Sequence, residues 1–226
     1  MIHMSARPVA LVTGASRGVG AAIARALAPT HDLLLGGRDA EALAELSARL
    51  PGARPWPVEL TAVTEADVAA VERLDVLVHS AGRVTLGSIE QTPADVWRRT
   101  MEINLIAAAE LTRLLLPALR AARGHVVLIN SGAGLRANPN WASYAASKFA
   151  LRAFADALRL EEPRLRVTTV YPGRIDTDMQ REVREQEGAP YEADKYLAAD
   201  SVARAVLTAV TASPDAHVTE ITVRPT

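Results

Sequence analysis

The stretch Val9-Ala-Leu-Val-Thr-Gly-Ala-Ser-Arg-Gly-Val-Gly-Ala-Ala-Ile-Ala-Arg-Ala-Leu27 decides how the rest of the chain is read. Val9–Thr13 is a short apolar run rich in β-branched residues, with no alternation of polar side chains, as in a strand covered on both faces. Glycines 14, 18 and 20 punctuate a turn, and from Ala21 onward apolar residues recur at helical spacing. A buried strand, a glycine turn and a helix in that order open an α/β domain. The same alternation continues, with strands expected at Asp32–Gly36, Arg54–Leu60, Asp75–His79, His125–Asn130, Arg166–Val170 and His217–Val223, and helices between them. The reading is α/β: a single domain over residues 1–226, with a doubly wound, seven-stranded parallel sheet and helices on both faces. Ligands of such sheets bind beyond the carboxyl ends of the strands. Five loops therefore matter: Gly14–Gly20, Gly37–Arg38, Ser80–Gly82, Ser131–Gly134 and Pro172–Thr177.

Composition removes several classes of function. The 226 residues carry a formal net charge of -1, with basic residues scattered rather than striped, so no nucleic-acid partner is expected. The lack of cysteine excludes disulfides, thiolate metal sites and a cysteine nucleophile, and five scattered histidines suggest no metal. No apolar run approaches the roughly 18 residues of a membrane span, and Met1–Ala10 has no basic segment followed by an apolar stretch. A cytoplasmic protein without membrane attachment is expected, with Met4 as an alternative start that would leave Met1–His3 without meaning. All but two of the 25 basic residues are arginine, so Lys148 and Lys195 each ask for an explanation.

The glycine turn offers what a pyrophosphate needs. Gly14, Gly18 and Gly20 let main-chain N–H groups and a helix N-terminus approach it, with Ser16, Arg17 and Val19 between them. The second strand ends Leu35-Gly36-Gly37-Arg38, where an NAD-preferring site places an acid against the ribose 2′-hydroxyl. Here Arg38, with Arg17, offers charge-assisted bonds to a 2′-phosphate, so NADP(H) is the expected cofactor. The alternative has Arg38 merely begin a helix, with Asp39 as the specificity acid and NAD(H) as the cofactor.

A helix is expected over Asn140-Trp-Ala-Ser-Tyr-Ala-Ala-Ser-Lys-Phe-Ala150, with Tyr144 and Lys148 four residues apart on one face. A phenol of ordinary pKa about 10 is a poor base at neutral pH. A buried ammonium, with a nicotinamide cation, has to stabilise the phenolate, and lowering the pKa by three units takes about 4 kcal/mol. Tyr191 and Lys195 share the spacing. Position chooses between the pairs: Tyr144 follows, by thirteen residues, Ser131 at the end of an apolar strand, whereas Tyr191 lies in a polar stretch and reads as a surface pair with Lys195. Ser131 stands where it can donate to a carbonyl oxygen. No histidine is placed to activate it and no G-x-S-x-G surrounds it, so it is not an acyl nucleophile.

The spacing G-x3-G-x-G, Ser131 and the Tyr144-x3-Lys148 pair resemble the short-chain dehydrogenase/reductase family, and the resemblance runs from Val9 to at least Met179. It implies a Rossmann-type NAD(P)-binding domain and an oxidoreductase that interconverts a small carbonyl compound and a primary or secondary alcohol by hydride transfer. It implies Tyr144 as general acid/base, Lys148 holding the nicotinamide ribose and tuning the tyrosine, and Ser131 orienting the carbonyl. Asn104 matches the helix asparagine that holds a proton-relay water. Pro172-Gly173-Arg174-Ile175-Asp176-Thr177 resembles the loop that grips the carboxamide through Thr177 and the backbone of Ile175. Glu59 and Leu60 fall beside the adenine, and Ser80, Ala81 and Gly82 continue the cofactor site. A homo-oligomer, tetramer or dimer, is implied as well, built on helices around Thr100–Arg120 and Ala142–Leu160.

The match has departures. His79-Ser80-Ala81-Gly82 stands where the family more often has Asn-Asn-Ala-Gly, so His79 and Ser80 have to remake the asparagine bonds. Glu59-Leu60 replaces Asp-Val or Asp-Leu. Val218–Thr226 lacks the family's glycine-rich end and resembles small reductases that include 3-hydroxy-acid dehydrogenases. The polar stretch between Arg174 and Leu197, with no strand, reads as a substrate lid. A catalytically silent NADP-binding sensor is the rival from another class, and it predicts loss of Ser131, Tyr144, Lys148 and Asn104, all of which are present. An epimerase or dehydratase of the extended relatives needs a larger C-terminal domain, and a methyltransferase leaves Tyr144 and Lys148 unexplained.

Overall fold

The computed structural model describes residues 7–226, so the alternative start at Met4 lies outside the described residues. Strands β1 (Val9–Thr13), β2 (Asp32–Gly37), β3 (Ala53–Pro57), β4 (Val76–His79), β5 (His125–Ile129), β6 (Arg166–Pro172) and β7 (Glu220–Val223) form one sheet in the order β3-β2-β1-β4-β5-β6-β7. Every pairing is parallel. Helices α1 (Gly18–Leu27), α2 (Ala40–Ala48), α3 (Glu65–Val68), α4 (Ala94–Met101), α5 (Ala107–Ala122), α6 (Ala142–Glu161), α7 (Asp178–Gln186) and α8 (Ala199–Val210) fill the connections. Strand order reverses between β1 and β4, the place where a doubly wound sheet opens a crevice. Among the described residues, no helix is long and apolar enough to cross a membrane.

The strands lack polar alternation because both faces are covered. On β1, Ala10 and Val12 join the layer of Ile23 and Leu27 from α1, Leu43 from α2 and Val202 and Val206 from α8, while Leu11 joins Leu111 and Leu115 from α5 and Leu151 from α6. β4 and β5 divide the same way: Val76, Val78 and Val127 face the first layer, Leu77, Val126 and Leu128 the second. Each fully buried leucine contributes roughly 1.5–3 kcal/mol relative to leaving it exposed. The two layers fix the sheet and hold the carboxyl-edge loops in place.

Several boundaries differ from expectation. The third strand ends at Pro57 rather than Leu60, because the Glu59 side chain accepts from Thr61 N (3.2 Å) and Thr61 Oγ1 (2.8 Å) and caps a 3₁₀ turn at Leu60–Ala62. The seventh begins at Glu220 rather than His217; the His217 ring takes the place of a ladder partner, accepting from Val167 N at 2.8 Å. The fifth stops at Ile129, since Asn130 turns its side chain to Ser131 N (2.8 Å) and Lys148 O (3.0 Å). The fourth starts at Val76, and the Asp75 carboxylate just before it accepts from Val9 N at 2.9 Å. β2 and β6 run longer than expected, to Gly37 and Pro172. The long helix expected over Thr100–Arg120 is divided by a π-helical turn at Glu102–Ile106.

Candidate active site

A cleft of about 1250 Å³ opens at the carboxyl edge of the sheet. Most single-ligand sites measure roughly 300–1,000 Å³. Every residue expected to contact the cofactor lines it, as do Ser131, Tyr144 and Lys148. Asn104 is the exception: it is 2 % exposed and lies beneath the floor. There its Oδ1 accepts from Arg83 N at 2.9 Å, and its Nδ2 donates to Arg83 O at 3.0 Å and Ser147 Oγ at 2.9 Å.

The glycine turn is shaped by close approach. Gly14 has φ +65° and Gly18 φ +57°, and a Cβ on Gly14 would lie 2.9 Å from the Ala81 backbone. A Cβ on Gly20 would lie 2.1 Å from Gly14 O. No side chain heavier than hydrogen fits at either place. α1 begins without a side-chain cap and with no acid in its first turn, which leaves its leading N–H groups and positive dipole end for an anion.

At the reacting end, α6 carries Tyr144 and Lys148 on the face turned toward β5. The Lys148 ammonium donates to Ile129 O at 2.9 Å and sits 5.7 Å from the centre of the Tyr144 ring. It is 5 % exposed, and burial lowers its pKa to about 8. Burial pushes the Tyr144 phenol up, and the Ser131 hydroxyl beside it works the other way. The lowered phenol expected from the sequence is therefore not a property of the protein groups alone: burial of the phenol outweighs the hydrogen bond from Ser131. Ser131 stands at the start of a 3₁₀ turn, its Oγ accepting from Ala133 N at 3.1 Å. Ser147 Oγ donates to Tyr144 O at 2.7 Å and accepts from Asn104, tying the tyrosine's turn of helix to the floor.

The other end of the cleft holds the two arginines. Arg38 faces Glu59 at 3.8 Å and Arg17 faces Asp178 at 3.4 Å, all four side chains being largely exposed. Asp39, the alternative specificity acid, instead caps α2 by accepting from Ala42 N at 3.0 Å. Hydrogen bonding from Thr61, more than Arg38, holds the Glu59 carboxyl below its ordinary range. Thr177 caps α7 and donates to Ile175 O at 3.3 Å, with its methyl group packed 3.4 Å from where a Gly18 Cβ would stand. Tyr191 and Lys195 lie outside the cleft lining: Tyr191 bonds Asp176 under the Arg181 guanidinium, and Lys195 pairs with Glu192 at 2.8 Å.

Residues 8–188 match the short chain dehydrogenase family. The chain belongs to that family. An uncharacterised short-chain type dehydrogenase/reductase of Sinorhizobium fredii is 36% identical, over 100% of this chain and 94% of that protein. Among solved structures, an alcohol dehydrogenase from the archaeon Thermococcus sibiricus, complexed with 5-hydroxy-NADP, superimposes with a TM-score of 0.87 at 26% identity, covering 97% of each chain. A 3-oxoacyl-[acyl-carrier protein] reductase from Brucella melitensis, in complex with NAD, gives 0.83 at 30% identity, covering 97% of this chain and 96% of that one.

This short-chain dehydrogenase builds the loop after β4 without the usual asparagines. Thr13 Oγ1 accepts from Ser80 N (3.0 Å) and Ala81 N (3.2 Å) and donates to Val78 O (3.2 Å), so the turn is held from β1. His79 is buried with Nε2 2.8 Å from Thr112 Oγ1. Because the one hydroxyl proton of Thr112 goes to Ala108 O (2.8 Å), His79 is the donor. Burial lowers its pKa to about 3, so it is a neutral packing residue. Sequence reading passed over Thr13, Asn130 and Ser147, whose polar side chains carry no signal that separates them from ordinary strand-end and helix residues. It also passed over Gln180 and Arg224, both of which line the cleft.

Proposed function

We propose that the protein is an NADP(H)-dependent oxidoreductase that interconverts a small carbonyl compound, 3-oxo acids included, and the corresponding primary or secondary alcohol. The reading is carried by Tyr144 and Lys148, buried on one helix face beside Ser131 in the same cleft as the glycine turn. The chain fits a nicotinamide dinucleotide. Gly14 and Gly20 form a cradle that a Cβ would fill, α1 presents an uncapped N-terminus, and the buried Gln180 Nε2 has no partner among the described residues.

When bound, the nicotinamide supplies or takes up the hydride. Ser131 donates a hydrogen bond to the carbonyl oxygen, and Tyr144 gives that oxygen its proton, or removes it in the reverse direction. Lys148, steadied by Ile129 O, holds the ribose and favours the phenolate. Thr177 and the Ile175 backbone hold the carboxamide. The Asn104 amide is held by Arg83 and Ser147, which leaves one lone pair of its Oδ1 and its main chain in the π-helical turn to receive a relay water. The 174–197 segment acts as a lid over the reacting end.

Arg17 and Arg38 select NADP(H), and the use of Asp39 as a helix cap favours this over NAD(H). Absorbance of NADPH and NADH against a panel of aldehydes, ketones, quinones and oxo acids tests the reading. The expected kcat/KM is higher with NADPH, and Arg38→Leu reduces that preference at least about tenfold, as loss of one charge-assisted bond does. A clear NADH preference in the wild type contradicts the cofactor assignment.

A further inference from the structure

Seven arginines line the cleft against four carboxylates. Four of the seven already face a carboxylate of the chain: Arg17, Arg38, Arg99 and Arg174. Among the described residues, Arg83, Arg136 and Arg224 have no ion pair. Arg83 and Arg136 are exposed and their guanidinium groups make no hydrogen bond to the described residues, as for ordinary solvated side chains.

Arg224 is exposed too, but unlike them it is held. Its Nη1 donates to Tyr171 O at 2.9 Å and to Val223 O at 3.4 Å. The side chain passes between two glycines: a Cβ on Gly173 would lie 3.6 Å from Arg224 Cδ, and a Cβ on Gly132 would lie 3.4 Å from Nη2. The guanidinium is thereby fixed over the residue that follows Ser131. Its Nε and Nη2 have no partner among the described residues. These two nitrogens form the side edge of the fork, the edge with which Arg113 grips the carboxylate of Glu110 at 2.8 and 2.7 Å. Arg120 holds Glu162 in the same manner.

We propose that this edge of Arg224 binds a carboxylate of the substrate, so that the carbonyl compound is an oxo acid with its carboxylate a few bonds from the reacting carbon. The proposal deepens the oxidoreductase reading and rests on it. A planar, two-oxygen anion matches the free edge, and a fork already held by backbone carbonyls loses little freedom on binding. One Cα–Cα step and the contact at Gly132 put Nη2 within about 9 Å of the Ser131 Cα, which sets the length of substrate that reaches both groups.

The test compares 2-, 3- and 4-oxo acids with their methyl esters in the wild type, Arg224→Gln and Arg224→Lys, each variant first checked for an unchanged melting temperature. The acid is expected to exceed its ester in kcat/KM in the wild type. In Arg224→Gln that acid-to-ester ratio is expected to fall about 10–150-fold, through KM of the acid, with Arg224→Lys in between. An ester preferred by the wild type, or a ratio unchanged by Arg224→Gln, overturns the proposal. Should none of these compounds be turned over, the oxidoreductase reading stands or falls on the aldehydes, ketones and quinones of the wider panel. The arginine site is then decided by calorimetry with malonate, with and without NADP: binding weakened at least tenfold in Arg224→Gln supports it, and binding that is absent or unchanged overturns it.

Discussion

At the residue scale, the phenol of Tyr144 is pulled in opposite directions. Burial raises its pKa, while the Ser131 hydroxyl favours the phenolate; the Lys148 ammonium lies 5.7 Å from the centre of the ring. The spacing of Tyr144 and Lys148 was readable in the sequence because both lie on one helix. The balance of desolvation against charge was not, since it depends on β5 and the cleft wall. Alcohol oxidation needs the phenolate, so removing the cation moves the required pH upward. Lys148→Met is expected to shift the acid limb of kcat/KM for alcohol oxidation up by at least about one pH unit, equivalent to 1.36 kcal/mol, while lowering kcat. A pH–rate profile that keeps its midpoint contradicts the tuning role.

At the scale of elements, the central strands were located within one or two residues and the edge strands less well. β1, β4 and β5 are buried on both faces, so their hydrophobic runs end where the strands end. β3 and β7 are half exposed, and their limits are set by the Glu59 cap and the His217 ring. The π-helical turn before α5 had no sequence signal. β5 also buries His125, whose Nε2 lies 2.7 Å from Thr168 Oγ1 and whose Nδ1 has no partner among the described residues. Burial, then the charges of Arg166 and His217, lower its pKa to about 3, and burial alone does the same for His79. Both have depressed pKa values in the fold, so the unfolded chain takes up protons below pH 6.5 that the folded chain refuses down to about pH 3. Their stabilising contribution is whole above pH 6.5 and declines as pH falls, by about 2 kcal/mol for each histidine between pH 7 and 5. Urea unfolding at those two pH values should show a smaller loss in His125→Gln, by one histidine's share. Equal losses in both proteins contradict the linkage.

At the scale of the whole molecule, the seven-stranded parallel sheet and the convergence of its carboxyl-edge loops were readable from the alternation of strands and helices. The arginine at position 224 was not, because only the folded chain brings the end of β7 over the Ser131 turn. Ile106 in the π-helical turn and Phe149 on α6 are large apolar side chains at 48% and 42% exposure, on the helices expected to pair copies of this chain. Light scattering at micromolar concentration is expected to give two or four times the chain mass of 24.1 kDa. A single-chain mass contradicts assembly through these helices.

The central claim is that Tyr144 exchanges the proton in a carbonyl–alcohol interconversion, and Tyr144→Phe tests it most directly because only the phenolic oxygen is removed. Turnover of the best carbonyl substrate is expected to fall about 10²–10⁴-fold, with NADPH still binding within about threefold of wild-type affinity. A variant that binds NADPH normally and keeps more than a tenth of wild-type kcat contradicts the claim.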